Sequence, residues 1–247
     1  KAWKTCARSR RRRSSTRCSI DGGTVIRLLG VSKRYPGGRD AVKNIDLGIA
    51  RGEFVLLTGH SGAGKSTLLE LMAGIERPTT GSVTVSGQNL GRLSRAALPF
   101  LRRRLGLVFQ DHKLLFDRNV YDNVALPLRI AGFASADIPK RVGAALERVG
   151  LGGREKHDPV GLSGGEQQRV CIARAIVHRP TVVLADEPTA NLDDAYAREI
   201  VTLFRHLHEA GVTLVVSTHS IGAFGGANAR QVELRAGEMT NPQGART

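Results

Sequence analysis

From residue 24 onward the apolar positions fall into two alternating patterns, short strand-sized runs and stretches with helical period. Residues 25–29 read as a strand, and 54–58 as a fully buried one. A glycine-rich loop follows, then a helix from about 65 to 73. Further strands are predicted at 82–86, 105–109, 181–185 and 212–217. Residues 119–149 read as mostly helical, with Pro127 and Pro139 as interruptions, and a helix is expected after Ser163. A last helix runs from 193 to about 209, where Ala197, Ile200, Val201, Phe204 and Leu207 share one face. Strands alternating with helices predict an α/β fold with a mostly parallel sheet. The long helical middle reads as an inserted subdomain, and no internal repeat is visible.

Composition changes this picture at one end only. Residues 1–22, KAWKTCARSRRRRSSTRCSIDG, show no periodicity and read as a basic, disordered arm ahead of a domain covering 23–247. The arm lacks an apolar core of signal-peptide length. The native start is expected near Val25, with the arm an upstream extension. The formal net charge is +15, but eight cations and no acid lie in the first 20 residues. The basic balance is therefore weak evidence for a polyanionic partner, and no nucleic acid is expected. Apolar runs such as VVLA are far short of the ~18 residues of a membrane span, so a soluble chain in a reducing cytosol is expected. Three widely spaced cysteines, Cys6, Cys18 and Cys171, suggest neither a disulfide framework nor a zinc site, and Cys171 reads as a buried free thiol. His206 and His208 are two apart on a helix and do not form a metal pair.

The chemistry sits in three short stretches. GHSGAGKST fits the pattern G-x-x-x-x-G-K-[ST] between a strand and a helix, where backbone N–H groups cradle phosphates. Gly59, His60, Ser61, Gly62, Ala63, Gly64, Lys65, Ser66 and Thr67 are expected to hold a nucleoside triphosphate. Lys65 reaches its outer phosphates, Ser66 serves Mg²⁺, and Thr67 adds a phosphate contact. TVVLADEP is a hydrophobic strand ending in two acids at the sheet edge where α/β ligands bind. Asp186 is the expected Mg²⁺ partner and Glu187 the group that polarises the attacking water, against the plainer reading of solvated acids at a strand end. The third stretch, LSGGE, opens a helix. A capping box accounts for Ser163 and Glu166. It leaves Gly164 and Gly165 unexplained, since each costs about 1 kcal/mol against Ala in a helix. A phosphate approaching the helix N-terminus explains them. Gln110 at the end of a strand is expected to contact Mg²⁺ or the water, His219 the γ-phosphate, and Tyr35 an adenine ring. Each of these three alone is more often simply polar, structural or core.

Taken in order, Tyr35, GHSGAGKST, Gln110, LSGGE, VVLADE, NLD and His219 resemble the ATP-binding-cassette ATPases over about residues 25–240. The resemblance implies a P-loop NTPase: a RecA-like core, an antiparallel β subdomain and an inserted α-helical subdomain at about 95–178. It also implies ATP and Mg²⁺ as ligands and a nucleotide-sandwich homodimer. There Ser163, Gly164, Gly165 and Glu166 of one copy complete the site of the other, with Asn191, Leu192 and Asp193 along the seam. KRYPGG, LTGHSGAGKSTLL, GIERPTTG, VFQDHKLL and YDNVALPLRIAG look like the cell-division branch of that family. That branch implies an integral membrane partner docking near Gln110, control of septal cell-wall hydrolysis, and a peripheral position at the cytoplasmic face of the inner membrane. Related cassettes for lipoprotein release or macrolide export share the catalytic motifs. A soluble nucleic-acid-acting cassette using the arm and Arg102, Arg103 and Arg104 is a further reading, though many of that kind carry two cassettes. Three departures stand out: Ser220 follows His219 where the family commonly has Asp, Phe116 replaces a small residue beside the partner groove, and IGAFGGANAR is a weak helix former after His219.

Overall fold

The computed structural model describes residues 23–94, 96–190 and 192–241, with the backbone of 245–246; the basic arm at 1–22 and Asn191 lie outside the described residues. Two sheets organise the chain. In the first, β1 (Thr24–Arg34), β2 (Asp40–Ala50), β4 (Thr80–Val85) and β5 (Gln88–Asn89) run antiparallel in the order β2-β1-β4-β5. In the second, β6 (Leu105–Val108), β7 (Val182–Asp186), β8 (Thr213–Ser217), β3 (Phe54–Thr58) and β9 (Arg230–Arg235) lie side by side and parallel. Two short strands, β10 (Glu238–Met239) and β11 (Ala245–Arg246), pair antiparallel with β9. The helices are α1 (Lys65–Met72), α2 (Leu98–Arg102), α3 (Val120–Ala131), α4 (Ile138–Arg148), α5 (Gly164–Ile176) and α6 (Asp194–Glu209).

The central strands are apolar throughout because both faces of their sheet are covered. All five residues of β3 are buried. Their alternating directions feed two separate cores. Phe54 and Leu56 join a cluster with Val124, Leu128, Val170, Ile172 and Phe204, from α3, α5 and α6. Val55 and Leu57 join the other, with Leu68, Leu71, Ile26 and Val83, from α1 and the antiparallel sheet. The core sheet thus separates the two clusters. The span 95–178 includes α2 to α5, but β6 within it belongs to the core sheet.

Register fixes where the chemistry gathers. Leu57 and Asp186 both pair with Ser217, and Val108 pairs with Ala185. The carboxyl ends of β3, β6, β7 and β8 therefore share one edge. The loops carrying Gly59, Gln110, Glu187 and His219 all leave from that edge, the place where open α/β sheets bind ligands.

Two expectations about the middle of the chain are corrected. Pro127 does not interrupt a helix; it lies inside α3, where Val120, Val124, Ala125 and Leu128 are buried and packing overrides the lost backbone bond. Pro139 is in the first turn of α4, where no intrahelical partner for its nitrogen is needed. β1 is longer than predicted, and β2 and β9 carry no strand prediction at all. In β2 the buried positions alternate only from Ile45 to Ile49, because the ladder shifts register beside Asn44, whose φ is +45°. In β9 only Val232 and Leu234 are buried among charged residues.

Cys171 is buried and free, and burial pushes its thiol up to about 12. Asn123, fully buried in α3, ties down the loop before that helix. Its carbonyl accepts from Leu115 N at 2.8 Å, and its amide donates to the carbonyls of Leu115, Arg118 and Asn119 at 2.9, 3.1 and 3.0 Å. Asn123→Ala leaves these groups unpaired in the interior and is expected to lower stability by about 2–3 kcal/mol in urea unfolding. A change below about 0.5 kcal/mol, within the range of an ordinary surface substitution, would show that the loop needs no anchor.

Candidate active site

A cavity of about 910 Å³ opens at the shared strand edge. Its lining brings together Tyr35, the loop Gly59, His60, Ser61, Gly62, Ala63, Gly64, Lys65, Ser66 and Thr67, and then Gln110, Glu187 and His219. Asp186 is not in the lining but ends β7 immediately before Glu187. Ser163, Gly164, Gly165 and Glu166 are absent from it.

The loop is shaped by its neighbours as well as by any ligand. Gly59 has φ +137°, and a Cβ there would lie 2.2 Å from the Leu234 carbonyl oxygen of β9. Gly64 has φ +104°, and its Cβ would lie 2.4 Å from the Ala41 carbonyl oxygen of β2. No side chain can replace either hydrogen, so the loop is pinned between two strands. Gly64 is also the N-cap of α1, with no side-chain cap and no acid in the first turn. The exposed N–H groups and positive end of this helix make an anion site.

Lys65 fills that site from below and is only 7% exposed. Its ammonium donates to the carbonyls of Gly59 at 2.8 Å and His60 at 3.3 Å and lies 3.3 Å from Glu187 Oε1. The other oxygen, Glu187 Oε2, is 2.9 Å from His219 Nδ1. Lysine, glutamate and histidine thus form one connected line, with Glu187 (side chain 10% exposed) at its centre and His219 (63%) reaching solvent.

Glu187 occupies left-handed backbone space at φ +46°. A non-glycine residue there costs of order 1–3 kcal/mol and persists only when its surroundings hold it. Ser217 holds it: its carbonyl and its hydroxyl oxygen both accept from Glu187 N, at 3.2 and 2.9 Å, while the hydroxyl donates to Asp186 Oδ1. Ser217 escaped the sequence reading because only the register of β7 against β8 places it there. Arg39 escaped it too. It lines the cavity with its guanidinium beside Gly62, and nothing in the pattern distinguishes it from the other cations.

Tyr35 stands at the cavity wall. Its hydroxyl is 3.4 Å from Glu70 Oε2, and the Lys33 ammonium lies 4.9 Å from its ring centre. Burial, reinforced by Glu76, holds the Glu70 carboxyl above its usual range. Ser220 makes a local turn through its N–H to the Thr218 hydroxyl, and His219 takes Glu187 as partner. The segment after it forms a short 3₁₀ turn, Ile221–Phe224, closed by the buried Phe224.

The LSGGE stretch forms its capping box in full. Ser163 Oγ accepts from Glu166 N at 3.3 Å, and Glu166 Oε2 accepts from Ser163 N at 2.9 Å. These bonds to Ser163 hold the Glu166 carboxyl below its ordinary value. The glycines remain unexplained by the cap. A Cβ at Gly164 would meet nothing within 4 Å, and one at Gly165 only ordinary contacts with Tyr196 and Leu192. Nothing within the described chain requires them to be glycine. The exposed Tyr196 lies beside Gly165.

Residues 42–190 match the ABC transporter family, and the chain belongs to that family. It is 52% identical over 215 residues to the cell division ATP-binding protein FtsE of Escherichia coli strain K12, covering 87% of this chain and 97% of that protein. It is 41% identical over 227 residues to the macrolide export ATP-binding/permease protein MacB of Chromobacterium violaceum, but spans 35% of that longer protein and 90% of itself. Among solved structures it resembles the dimeric bacterial ABC transporter cassette MJ0796, with TM-score 0.82 and 36% identity over 87% of this chain and 97% of that one. The same cassette in a dimeric post-hydrolysis state bound to ADP and Pi gives TM-score 0.81. The fold is that of a P-loop NTPase.

Lys65→Ala removes the buried cation at the phosphate loop. ATP affinity measured by calorimetry is expected to fall at least about tenfold, the scale of one charge-assisted contact. Unaltered affinity would remove the loop from the binding site.

Proposed function

We propose that this chain is the ATP-hydrolysing subunit of an FtsEX-like complex. Two copies close on two ATP molecules, and the closure drives a conformational change in an FtsX-like integral membrane protein that controls septal cell-wall hydrolysis. The reading is carried by the distribution of phosphate donors. Lys65 and the uncapped end of α1 face the cavity, while the glycine-flanked end of α5 lies outside it. One triphosphate exposes oxygens on several sides, so a second copy supplies the donors the first lacks.

Within one copy, Lys65 and the first N–H groups of α1 take the outer phosphates, Thr67 adds a contact, and the Tyr35 ring stacks on the base. The Ser66 hydroxyl, the Gln110 amide and Asp186 Oδ2 make no hydrogen bond among the described residues, and such hard oxygens suit Mg²⁺. Bound there, the ion offsets phosphate charge. Phosphate on Lys65 competes with its ion pair and releases Glu187, whose carboxylate then orients the attacking water. His219, adjacent to Glu187, contacts the γ-phosphate. From the other copy come Ser163, Gly164, Gly165 and Glu166, with Leu192 and Asp193 along the seam.

Among the described residues no helix is long and apolar enough to cross a membrane. The chain sits at the cytoplasmic face of the inner membrane through its partner. A groove of about 390 Å³ fits that partner. It is lined by Phe109, Leu126, Pro127 and Ile130 with Arg102, Arg103 and Lys113, and among the described residues no carboxylate lines it. Phe116 is exposed and is not among the residues that line this groove.

Two variants separate the roles. Glu187→Gln is expected to cut ATP turnover by at least about 10² while ATP still binds. Ser163→Arg is expected to leave ATP affinity unchanged yet abolish turnover, since it blocks only the approach of the second copy. Normal turnover in the first variant removes Glu187 from the water; normal turnover in the second removes α5 from the composite site.

A further inference from the structure

Five residues after β6 make two tight turns in succession. His112 N donates to Phe109 O at 3.2 Å, and Lys113 N donates to Asp111 O at 2.6 Å. His112 and Lys113 both lie in left-handed space, at φ +58° and +49°. Two adjacent non-glycine residues in that region are costly and need external support. α5 provides it. Arg174 Nη1 donates to Lys113 O and Nη2 to His112 O, both at 2.6 Å, and the Cys171 thiol donates to His112 O at 3.1 Å. Arg174 is half-buried and has no carboxylate partner among the described residues, so both arms of a permanently charged fork are committed to two backbone carbonyls.

The strained pair lies two residues beyond Gln110, which lines the nucleotide cavity. Arg174 itself lines the apolar groove, and its helix is the one opened by Ser163. One guanidinium therefore touches the loop that presents Gln110, the groove and the helix directed at the second copy. We infer that Arg174 is a positioning residue that holds Gln110 toward the nucleotide by clamping the His112–Lys113 turn. The inference rests on the reading of Gln110 as a contact to Mg²⁺ or the attacking water. Lysine cannot substitute fully, because a single ammonium does not span two carbonyls with the geometry of a planar fork.

The test is steady-state ATPase activity of the full chain carrying Arg174→Met, Arg174→Lys, Gln110→Ala, or Arg174→Met with Gln110→Ala, with thermal unfolding recorded for each. Arg174→Met is expected to lower kcat by about 10- to 100-fold, the cost of a misplaced catalytic group. At saturating Mg²⁺ the KM for ATP should stay within about twofold, because the phosphate-loop contacts are untouched, while half-activation should need more Mg²⁺. Arg174→Lys should fall between, and it supplies the reading if the methionine variant does not fold. The double variant should be no slower than Gln110→Ala alone, since residues acting through one another are not additive. Additive losses, or an unchanged kcat in the folded Arg174 variants, overturn the inference while leaving Gln110 in place. Unchanged turnover in Gln110→Ala overturns the Gln110 reading and the inference with it.

Discussion

A buried ammonium must have an anion, and the ion pair between Lys65 and Glu187 is where this structure meets that requirement. Lys65 lies under a helix end that is already positive and uncapped, so the loop is an anion site before any ligand arrives. Glu187 serves as the anion, and it pays in backbone strain for the position. Ser217 bonds both its N–H and the preceding aspartate, so one strand holds in place the two acids that end the next. Under the proposed function a triphosphate competes for the same lysine, so the residue proposed to orient the water is held by the cation proposed to bind substrate.

That arrangement is one-sided. The cavity gathers groups from the start of β2, from β9 and from the loops that follow β3, β6, β7 and β8, yet the second glycine-bearing helix end, at Ser163, lies outside its lining. Its capping box satisfies its own polar groups without accounting for two glycines. The proposed pair that closes around nucleotide gives each of these two helix ends a role, and the same proposal gives closure an outlet in the groove beside α3 and α5, lined by apolar and cationic side chains. The same helix α5 opens at Ser163, carries the Arg174 that lines the groove, and through that side chain bonds the loop after Gln110.

Much of this was legible before the fold was known. The strands at Phe54 and Val182 are continuous apolar runs that only a covered sheet explains, and each leads directly into a motif whose chemistry dictates its residues. Glycine, lysine and serine in the phosphate loop, and paired acids after a buried strand, are readable because few other residues perform those tasks. What stayed hidden depends on distance in space. β2 lost its alternation at a bulge beside Asn44, and β9 buries only two of its side chains. Pro127 read as a break because burial of the α3 face cannot be seen from local propensity. Ser217, Arg39 and Arg174 are ordinary polar residues until register and packing bring them to the carboxylates, the cavity and the Gln110 loop.

The mass of the particle in solution tests the proposed two-copy site most directly. Light scattering of the Glu187→Gln chain loaded with ATP and Mg²⁺ should give twice the mass of one chain, returning to a single mass when ATP is removed. A particle that keeps a single copy with saturating nucleotide, both alone and bound to the proposed membrane partner, contradicts it.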